Sequence, residues 1–473
     1  MDSILLTNIE ILATFDEDRT VLRNAWLLIQ NKTISSFGKM GSELPVADKV
    51  IDMSGHIVMP GMVNTHHHYF QTLIRNVPSM QNASLFDWLH DLYLLMSEVT
   101  DEDQYYAAKI AQAELLLSGC TTNSDHSYLK VNDMCFDTEI KAAQEMGIRF
   151  HLARGSFSIG QSKGGLPPDH IIEKEDDILA DTERLILKYH EPDDFGMVRI
   201  DNAPCSPFSI SPELMINSIE LARKHNIGNH THLAESPDDE KYMHEVYGKS
   251  SVEMAKEWGW VGDDVWYAHA VQLSDSDIDI MSETHTCVAH CPNSNLFLSS
   301  GICRVTDLLK KNVTVGIGVD GSASNNSSNM LDEVRSAMLL QRVKYGAKAM
   351  SPTQALEMAT LGGAKLLRRR DIGSIVPGKA ADVIGIRTRT LPFAGGLHDP
   401  IAALVMCASG EVDLSIINGK LIIENGVLLS VDLDALIAKQ NELGEKLVAR
   451  TAKRYQAPLD KFIWRRAFPY EEL

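Results

Sequence analysis

Eight strand-like segments, separated by helix-length stretches, constrain this chain more than any other feature. The candidate strands are 55–63, 119–125, 149–154, 198–204, 227–232, 265–269, 286–290 and 313–320, and helical patterns such as 104–118, 212–225 and 351–367 lie between them. Strands that alternate with helices predict parallel pairing through crossovers, and eight of them is the number that closes a (β/α)8 TIM-type barrel, of α/β class. In such barrels the reactive groups sit at the carboxyl ends of the strands. Flanking the barrel, residues 1–58 and 372–430 carry short alternating runs with Asn-Gly hairpin signals at 418–419 and 425–426. They predict one small β-sandwich-like domain built from both chain ends, which leaves the barrel to residues 59–371. Residues 431–473 read as a helix followed by a charged, aromatic tail that packs on a neighbouring subunit.

The 473 residues carry a formal charge of -20, which argues against nucleic acid or an anionic membrane as a partner. No apolar run is long enough to cross a bilayer. The chain opens on Met-Asp-Ser rather than a basic segment, so no signal peptide is expected. Seven cysteines without CxxC spacing read as reduced thiols, which points to the cytoplasm.

The chemistry gathers at the strand ends. His66 and His68 follow the first candidate strand, and period-two alternation aims both imidazoles at one point while His67 turns away. His232 and Glu235, then His269, then Asp320 close later strands. A His-x-His pair alone is more often an ordinary polar pair than a metal site. With His232 and Asp320 following in order, a divalent ion such as Zn, Fe or Mn is favoured, with one coordination position left to water. His230 shares the face of His232 but lies deeper, and it is read as an orienting or structural residue. Cys205 and Cys291 are read as small buried hydrophobes.

Several linked motifs carry a family resemblance: Pro60-Gly-Met-Val-Asn-Thr-His66-x-His68, His232-Leu-Ala-Glu235, His290-Cys-Pro-Asn-Ser-Asn295, Gly318-Val-Asp320-Gly and Pro377-Gly-Lys-Ala-Ala-Asp382. Together they resemble the amidohydrolase superfamily, in its cytosine/guanine/triazine deaminase branch. Leu117-Ser-Gly-Cys-Thr-Thr, Arg154-Gly-Ser-Phe-Ser-Ile-Gly, Ala203-Pro-Cys-Ser-Pro-Phe and His398-Asp-Pro-Ile-Ala-Ala-Leu are similar to the 8-oxoguanine deaminase subfamily.

The resemblance implies one divalent metal ion, zinc first, on His66, His68, His232 and Asp320. Three neutral imidazoles and one carboxylate leave such an ion positive, enough to bring water from a pKa of about 15.7 to about 7. By the same likeness Asp320 takes the water proton, Glu235 protonates the substrate ring nitrogen, and His269 orients the nucleophile. Two-metal relatives usually carry a bridging Lys on the fourth strand, and 198–208 has none, so a single metal is expected.

Gln71, Trp88, Arg154 and His290 are candidate substrate contacts. Core packing is the stronger reading for Trp88. Arg154 is read as a contact rather than an ion pair, and His290 either touches substrate or braces its loop. The expected reaction is hydrolytic deamination of an aminated oxopurine, 8-oxoguanine to urate plus ammonia, with isocytosine a lesser substrate. The alternatives are an s-triazine aminohydrolase or an isoxanthopterin or guanine deaminase. A non-enzymatic scaffold on the same fold is opposed by the retained His and Asp set. The resemblance also implies a homo-oligomer, a dimer or larger.

Overall fold

The computed structural model describes residues 3–41, 43–407 and 411–463. Eight parallel strands close a barrel: β1 (Met62–Asn64), β2 (Cys120–Ser127), β3 (Arg149–Ser156), β4 (Val198–Pro204), β5 (Asn229–Leu233), β6 (Val265–His269), β7 (Cys287–His290) and β8 (Val315–Ile317). Each pairs with the next in the chain, and Ile317 opposite Asn64 closes the ring.

The barrel interior explains why polar segments form strands here. All eight residues of β2, Cys-Thr-Thr-Asn-Ser-Asp-His-Ser, are buried. A buried amide must find a partner. Asn64 donates to Asn123, and Asn123 in turn donates to the Tyr69 hydroxyl. Several of the surrounding helices start on side-chain caps, as in the reciprocal Thr100 and Asp103 box that opens Asp101–Leu117 and the Ser274 and Asp277 box that opens Asp275–Thr284.

One element departs from expectation. Residues 55–63 are not a single strand: His56–Pro60 belongs to the outer sheet and Met62–Asn64 to the barrel, with Gly61 between them. A Cβ at Gly61 would lie 2.1 Å from the Thr121 side chain, so the chain can pass from sheet to barrel here only without a side chain. The last barrel helix also deviates. A π-helical turn at Met358–Gly362 lies between Pro352–Glu357 and Gly363–Leu366.

Both chain ends build one nine-stranded sheet rather than two stacked ones. His56–Pro60 pairs antiparallel with Val383–Arg387 and so joins the early strands to the late ones. Leu6, Ile9 and Leu27 share a core with Val383, Leu414 and Ile416, so strands from the two ends bury one another. A buried ion pair fastens this region to the barrel base: Arg149 on β3 donates through Nε and Nη2 to the two carboxylate oxygens of Asp382, each at 2.9 Å.

The helix expected beyond residue 431 runs over Leu433–Arg454. It packs on its own barrel, where Gln440 donates to the Thr72 hydroxyl at 3.0 Å and Leu443, Leu447 and Val448 join the cluster around Trp88 and Leu92. Farther on, Lys461 pairs with Asp91 at 2.5 Å. The tail from 464 lies outside the described residues. Among the described residues, no helix is long and apolar enough to cross a membrane.

Candidate active site

The carboxyl ends of β1, β5, β6 and β8 bring six of the expected residues, His66, His68, His232, Glu235, His269 and Asp320, into one buried cluster. β1 ends at Asn64, so His66 and His68 lie on the extended segment beyond it rather than on the strand itself. They still converge. His68 Nε2 lies 3.1 Å from His232 Nε2, and Asp320 Oδ1 lies 3.4 Å from His66 Nε2 and 3.3 Å from His68 Nε2. His67 turns away to the Ser328 hydroxyl, 2.9 Å from its Nε2.

The partners of each ring fix its tautomer. His68 Nδ1 faces the His126 carbonyl and His232 Nδ1 faces the Cys205 carbonyl, both at 2.8 Å. A carbonyl only accepts, so both Nδ1 atoms carry the proton and both Nε2 atoms are bare in the neutral rings. His230 Nδ1 donates to the Trp266 carbonyl at 3.0 Å, which leaves its Nε2 to accept from His66 Nδ1 at 2.8 Å. His66 Nε2 is therefore bare as well, and it is buried without a hydrogen-bond partner. Burial lowers the proton affinity of all three rings, most strongly for His66 and His232. Three inward lone pairs and a carboxylate held well below its ordinary range fit a divalent cation. For Asp320 the surrounding imidazoles, His66 first, outweigh the effect of burial.

The strand ends are strained in a way that aims these groups. His269 (φ 70) and Asp320 (φ 63) both hold the left-handed region that side-chain-bearing residues usually avoid. His269 Nδ1 donates to Asn295 Oδ1 at 2.9 Å. Its Nε2 thereby stands 3.7 Å from Glu235 Oε2 and 3.8 Å from Asp320 Oδ2. Burial works against the imidazolium, but the Glu235 and Asp320 carboxylates outweigh it and raise His269. Burial pushes Glu235 up to about 7, against the pull of His269 and with a further push from Asp320. Asp239 holds the Glu235 backbone by accepting its N–H at 3.0 Å.

Over this cluster opens a pocket with about 470 Å³ of empty space. Leu85, Trp88, Leu89 and Tyr93, on one face of the helix Leu85–Met96, line it together with Tyr128, Phe157, Phe208 and Leu298. Its polar groups are few: Gln71, Ser206 and Ser324 join Glu235, His269 and Asp320. Gln71 accepts from Ala323 N–H and donates to the Tyr128 hydroxyl at 3.3 Å. Trp88 serves both readings, since it lines the pocket and belongs to a hydrophobic cluster, with its indole N–H on the Ala323 carbonyl at 3.2 Å.

Arg154 does not reach the pocket. It binds Glu173 through both Nη atoms, 3.0 and 2.7 Å, and lies over the Phe136 ring, so the expected substrate contact is instead an ion pair that ties β3 to its loop. His290 is buried and does not line the pocket, and its carbonyl accepts from Gly318 N–H, just beyond β8, at 2.9 Å.

Two neighbours of the cluster escaped the sequence reading. His126, near the end of β2, stacks on His232 with ring centroids 4.7 Å apart and groups with His66, His68 and His232 as a possible ligand. Its Nε2 donates to the Ala203 carbonyl, which leaves Nδ1 bare and buried. The signal was its place at a strand end. Tyr128, two residues on, carries no motif. Cys291 also approaches His66, His269 and Asp320, but burial and Asp320 keep its thiol protonated.

A closed parallel barrel with three imidazoles, a carboxylate and a buried carboxylic acid at its strand ends defines a metal-dependent hydrolase of C–N bonds. The Amidohydrolase family profile matches residues 57–422, and the chain belongs to that family. It is 44% identical to an 8-oxoguanine deaminase of Pseudomonas aeruginosa over 400 residues, 84% of this chain and 89% of that one. It is 34% identical to a hydroxydechloroatrazine ethylaminohydrolase of Pseudomonas sp. strain ADP over 451 residues, covering 91% and 93%. Among solved structures it is similar to an atrazine chlorohydrolase of Arthrobacter aurescens TC1 complexed with zinc. There the TM-score is 0.89 at 31% identity, covering 93% of this chain and 100% of that one.

Proposed function

We propose that this chain deaminates 8-oxoguanine to urate, with water replacing the exocyclic amine and ammonia leaving. The observation that carries this reading is Glu235: a carboxyl pushed up to about 7, facing Asp320 across His269 Nε2 at the floor of a narrow, aromatic-walled pocket. A flat oxopurine suits such walls, and the 44% identity to an 8-oxoguanine deaminase, against 34% to a triazine-acting relative, supports that ring.

His66, His68, His232 and Asp320 would hold one divalent ion, zinc first. Such an ion supplies, when bound, water acidified to a pKa of about 7. Asp320 Oδ2, 3.8 Å from His269 Nε2, is the free oxygen that can take a proton from the attacking water. Glu235 in its acid form donates to the ring nitrogen beside the amine-bearing carbon and so withdraws charge from that carbon as it is attacked. His269, held by Asn295, orients the nucleophile between the two carboxyl groups. The leaving amine then collects the proton held by Asp320 or returned through Glu235. Leu85, Trp88 and Leu89 supply an apolar wall beside the reacting groups.

The test is ammonia release by metal-loaded protein from 8-oxoguanine, guanine, isocytosine, isoxanthopterin and hydroxyatrazine, with ring absorbance followed in parallel. Preference for 8-oxoguanine supports the reading. Turnover of hydroxyatrazine alone would move the chain to the triazine aminohydrolases. The seven cysteines are unpaired, which suits the reducing cytoplasm. We also read the protein as a homodimer, and sedimentation at the single-chain mass of 52.4 kDa would reject that.

A further inference from the structure

The opposite end of the barrel carries a second, open cavity, with about 1420 Å³ of empty space, that the deamination reaction does not use. It lies where β6, β7 and β8 begin. Asp263, His285 and Thr314 come from the segments entering those strands, and Lys365, Arg368, Arg369 and Arg370 from the last barrel helix and the chain just beyond it. Lys379 completes the wall, so five cations and one acid line a cavity in a chain of net charge -20.

Only one of these cations is neutralised locally. Arg369 grips Asp371 through Nε at 2.8 Å and Nη2 at 2.6 Å. Arg368 donates to the neutral Asn226 side chain at 2.8 Å, which satisfies its hydrogen bonds but not its charge. Lys379 is half-buried with one long contact, 3.4 Å to the Ile372 carbonyl, and burial lowers its proton affinity. The acid acting on it is Asp371, already held by Arg369. Lys365 and Arg370 are exposed at the rim, and neither side chain makes an ion pair or hydrogen bond among the described residues. The acids beside Lys365, namely Asp16, Glu17 and Glu357, face an adjoining groove, and Glu357 is taken by Arg19. Just behind the cavity, Arg199 reaches the Arg368 carbonyl at 3.4 Å and leaves its Nε buried without a partner. Burial, and then Arg369, push Arg199 down to about 10. The region thus gathers Lys365, Arg368, Arg370 and Lys379, with Arg199 behind them, around a single acid in the cavity wall, Asp263.

We propose that this cavity is a binding site for a polyphosphate group, supplied either as a free inorganic anion or as the phosphate chain of a nucleotide. Several cations spread over this volume match a chain of charged oxygens better than one carboxylate does. Arg368 and Arg370 offer planar forks, and Lys365 and Lys379 offer point charges. An anion here would compensate the half-buried Lys379 ammonium, which the protein leaves without a free acid. The site lies at the barrel end opposite the metal donors, so its test does not depend on the deaminase reading.

The experiment is calorimetric titration of the metal-loaded full chain with pyrophosphate, a purine nucleoside triphosphate and sulfate. The wild type and a Lys365→Ala/Arg370→Ala double variant, whose altered side chains are both exposed, are compared. Pyrophosphate should bind roughly tenfold or more tighter than sulfate, weaken as salt rises from about 50 to about 200 mM, and lose roughly tenfold or more in the double variant. Ammonia release should be unchanged in that variant. Equal affinity for pyrophosphate and the nucleotide would identify the phosphate chain alone as the ligand, and tighter nucleotide binding would identify the nucleotide. No saturable binding, sulfate matching pyrophosphate, or a double variant that binds like wild type would overturn the proposal. The last result would move the anion to the metal end of the barrel.

Discussion

Changing His230 to Ala removes the acceptor that fixes His66. In the wild type the two rings form a relay: His66 Nδ1 donates to His230 Nε2 across 2.8 Å, and His230 Nδ1 donates to the Trp266 carbonyl across 3.0 Å. Without Nε2, the His66 N–H is buried with no acceptor, a loss of about 1–3 kcal/mol. The ring is then free to change tautomer, which turns a proton rather than a lone pair toward the metal donors. Outer partners of ligating histidines are typically worth about 10- to 100-fold in metal affinity, or about 1.4–2.8 kcal/mol. Zinc affinity should therefore fall by that factor, measured by competition with a chromophoric chelator. His230 also stacks on Trp266, with centroids 4.9 Å apart, so the Ala variant should lose stability even without metal. His230→Gln separates the two effects, because its amide oxygen can still accept from His66. The Gln variant should recover most of the zinc affinity. Wild-type affinity in the Ala variant, or equal losses in both, would refute the relay.

Glu235→Gln should retain metal yet lower kcat by about 10²- to 10⁴-fold, because the amide has no titratable proton to give; metal analysis beside steady-state ammonia release checks both halves. Asp382→Asn should destabilise the fold by about 3–5 kcal/mol in a denaturant melt, since it leaves the Arg149 charge buried and unpaired. Glu139 is buried against Asp125, and burial raises its carboxyl well above the ordinary range. A raised carboxyl holds its proton in the folded state after the unfolded chain has released it. Stability therefore falls as pH rises above about 4.5, by up to about 1.4 kcal/mol per unit, until the folded group also ionises. Glu139→Gln should flatten that decline between about pH 5 and pH 8 in thermal melts, and an unchanged slope would assign the loss to other groups.

The barrel was legible because strand-length and helix-length segments alternate along the chain, and the candidate ligands were legible because His66, His68, His232 and Asp320 stand at or just beyond the ends of the strand-length ones. What the sequence obscured has a physical cause in each case. The turn at Gly61 depends on the closeness of Thr121, a contact 60 residues away in the chain. Arg154 sits at a strand end like a functional residue, but its direction is decided by Glu173 and Asp181, which arrive from a loop and a helix. His126 lies in a strand so polar that its alternation carries no inside-outside signal; all eight of its residues are buried. The pocket roof comes from a helix placed by the C-terminal helix, whose own packing partners are more than 300 residues earlier.

The same hydrogen bonds that orient the metal donors should make the metal-free protein less stable. His68 and His232 each have Nδ1 committed to a carbonyl, so their neutral rings face each other with bare Nε2 atoms 3.1 Å apart. Two lone pairs at that distance repel unless a proton or a cation sits between them, and burial disfavours the proton. A divalent ion should therefore stabilise the folded chain by mass action, by about 2.7 kcal/mol when free metal is 100 times its dissociation constant. Removing it with a chelator should lower Tm measurably, and zinc should restore the loss. Protons and metal compete for the same Nε2 atoms, so the gap between metal-loaded and metal-free Tm should narrow as pH falls. A chelated protein that melts with the loaded one at neutral pH would show that these rings are held apart by packing alone, and the case for His68 and His232 as ligands would fall with it.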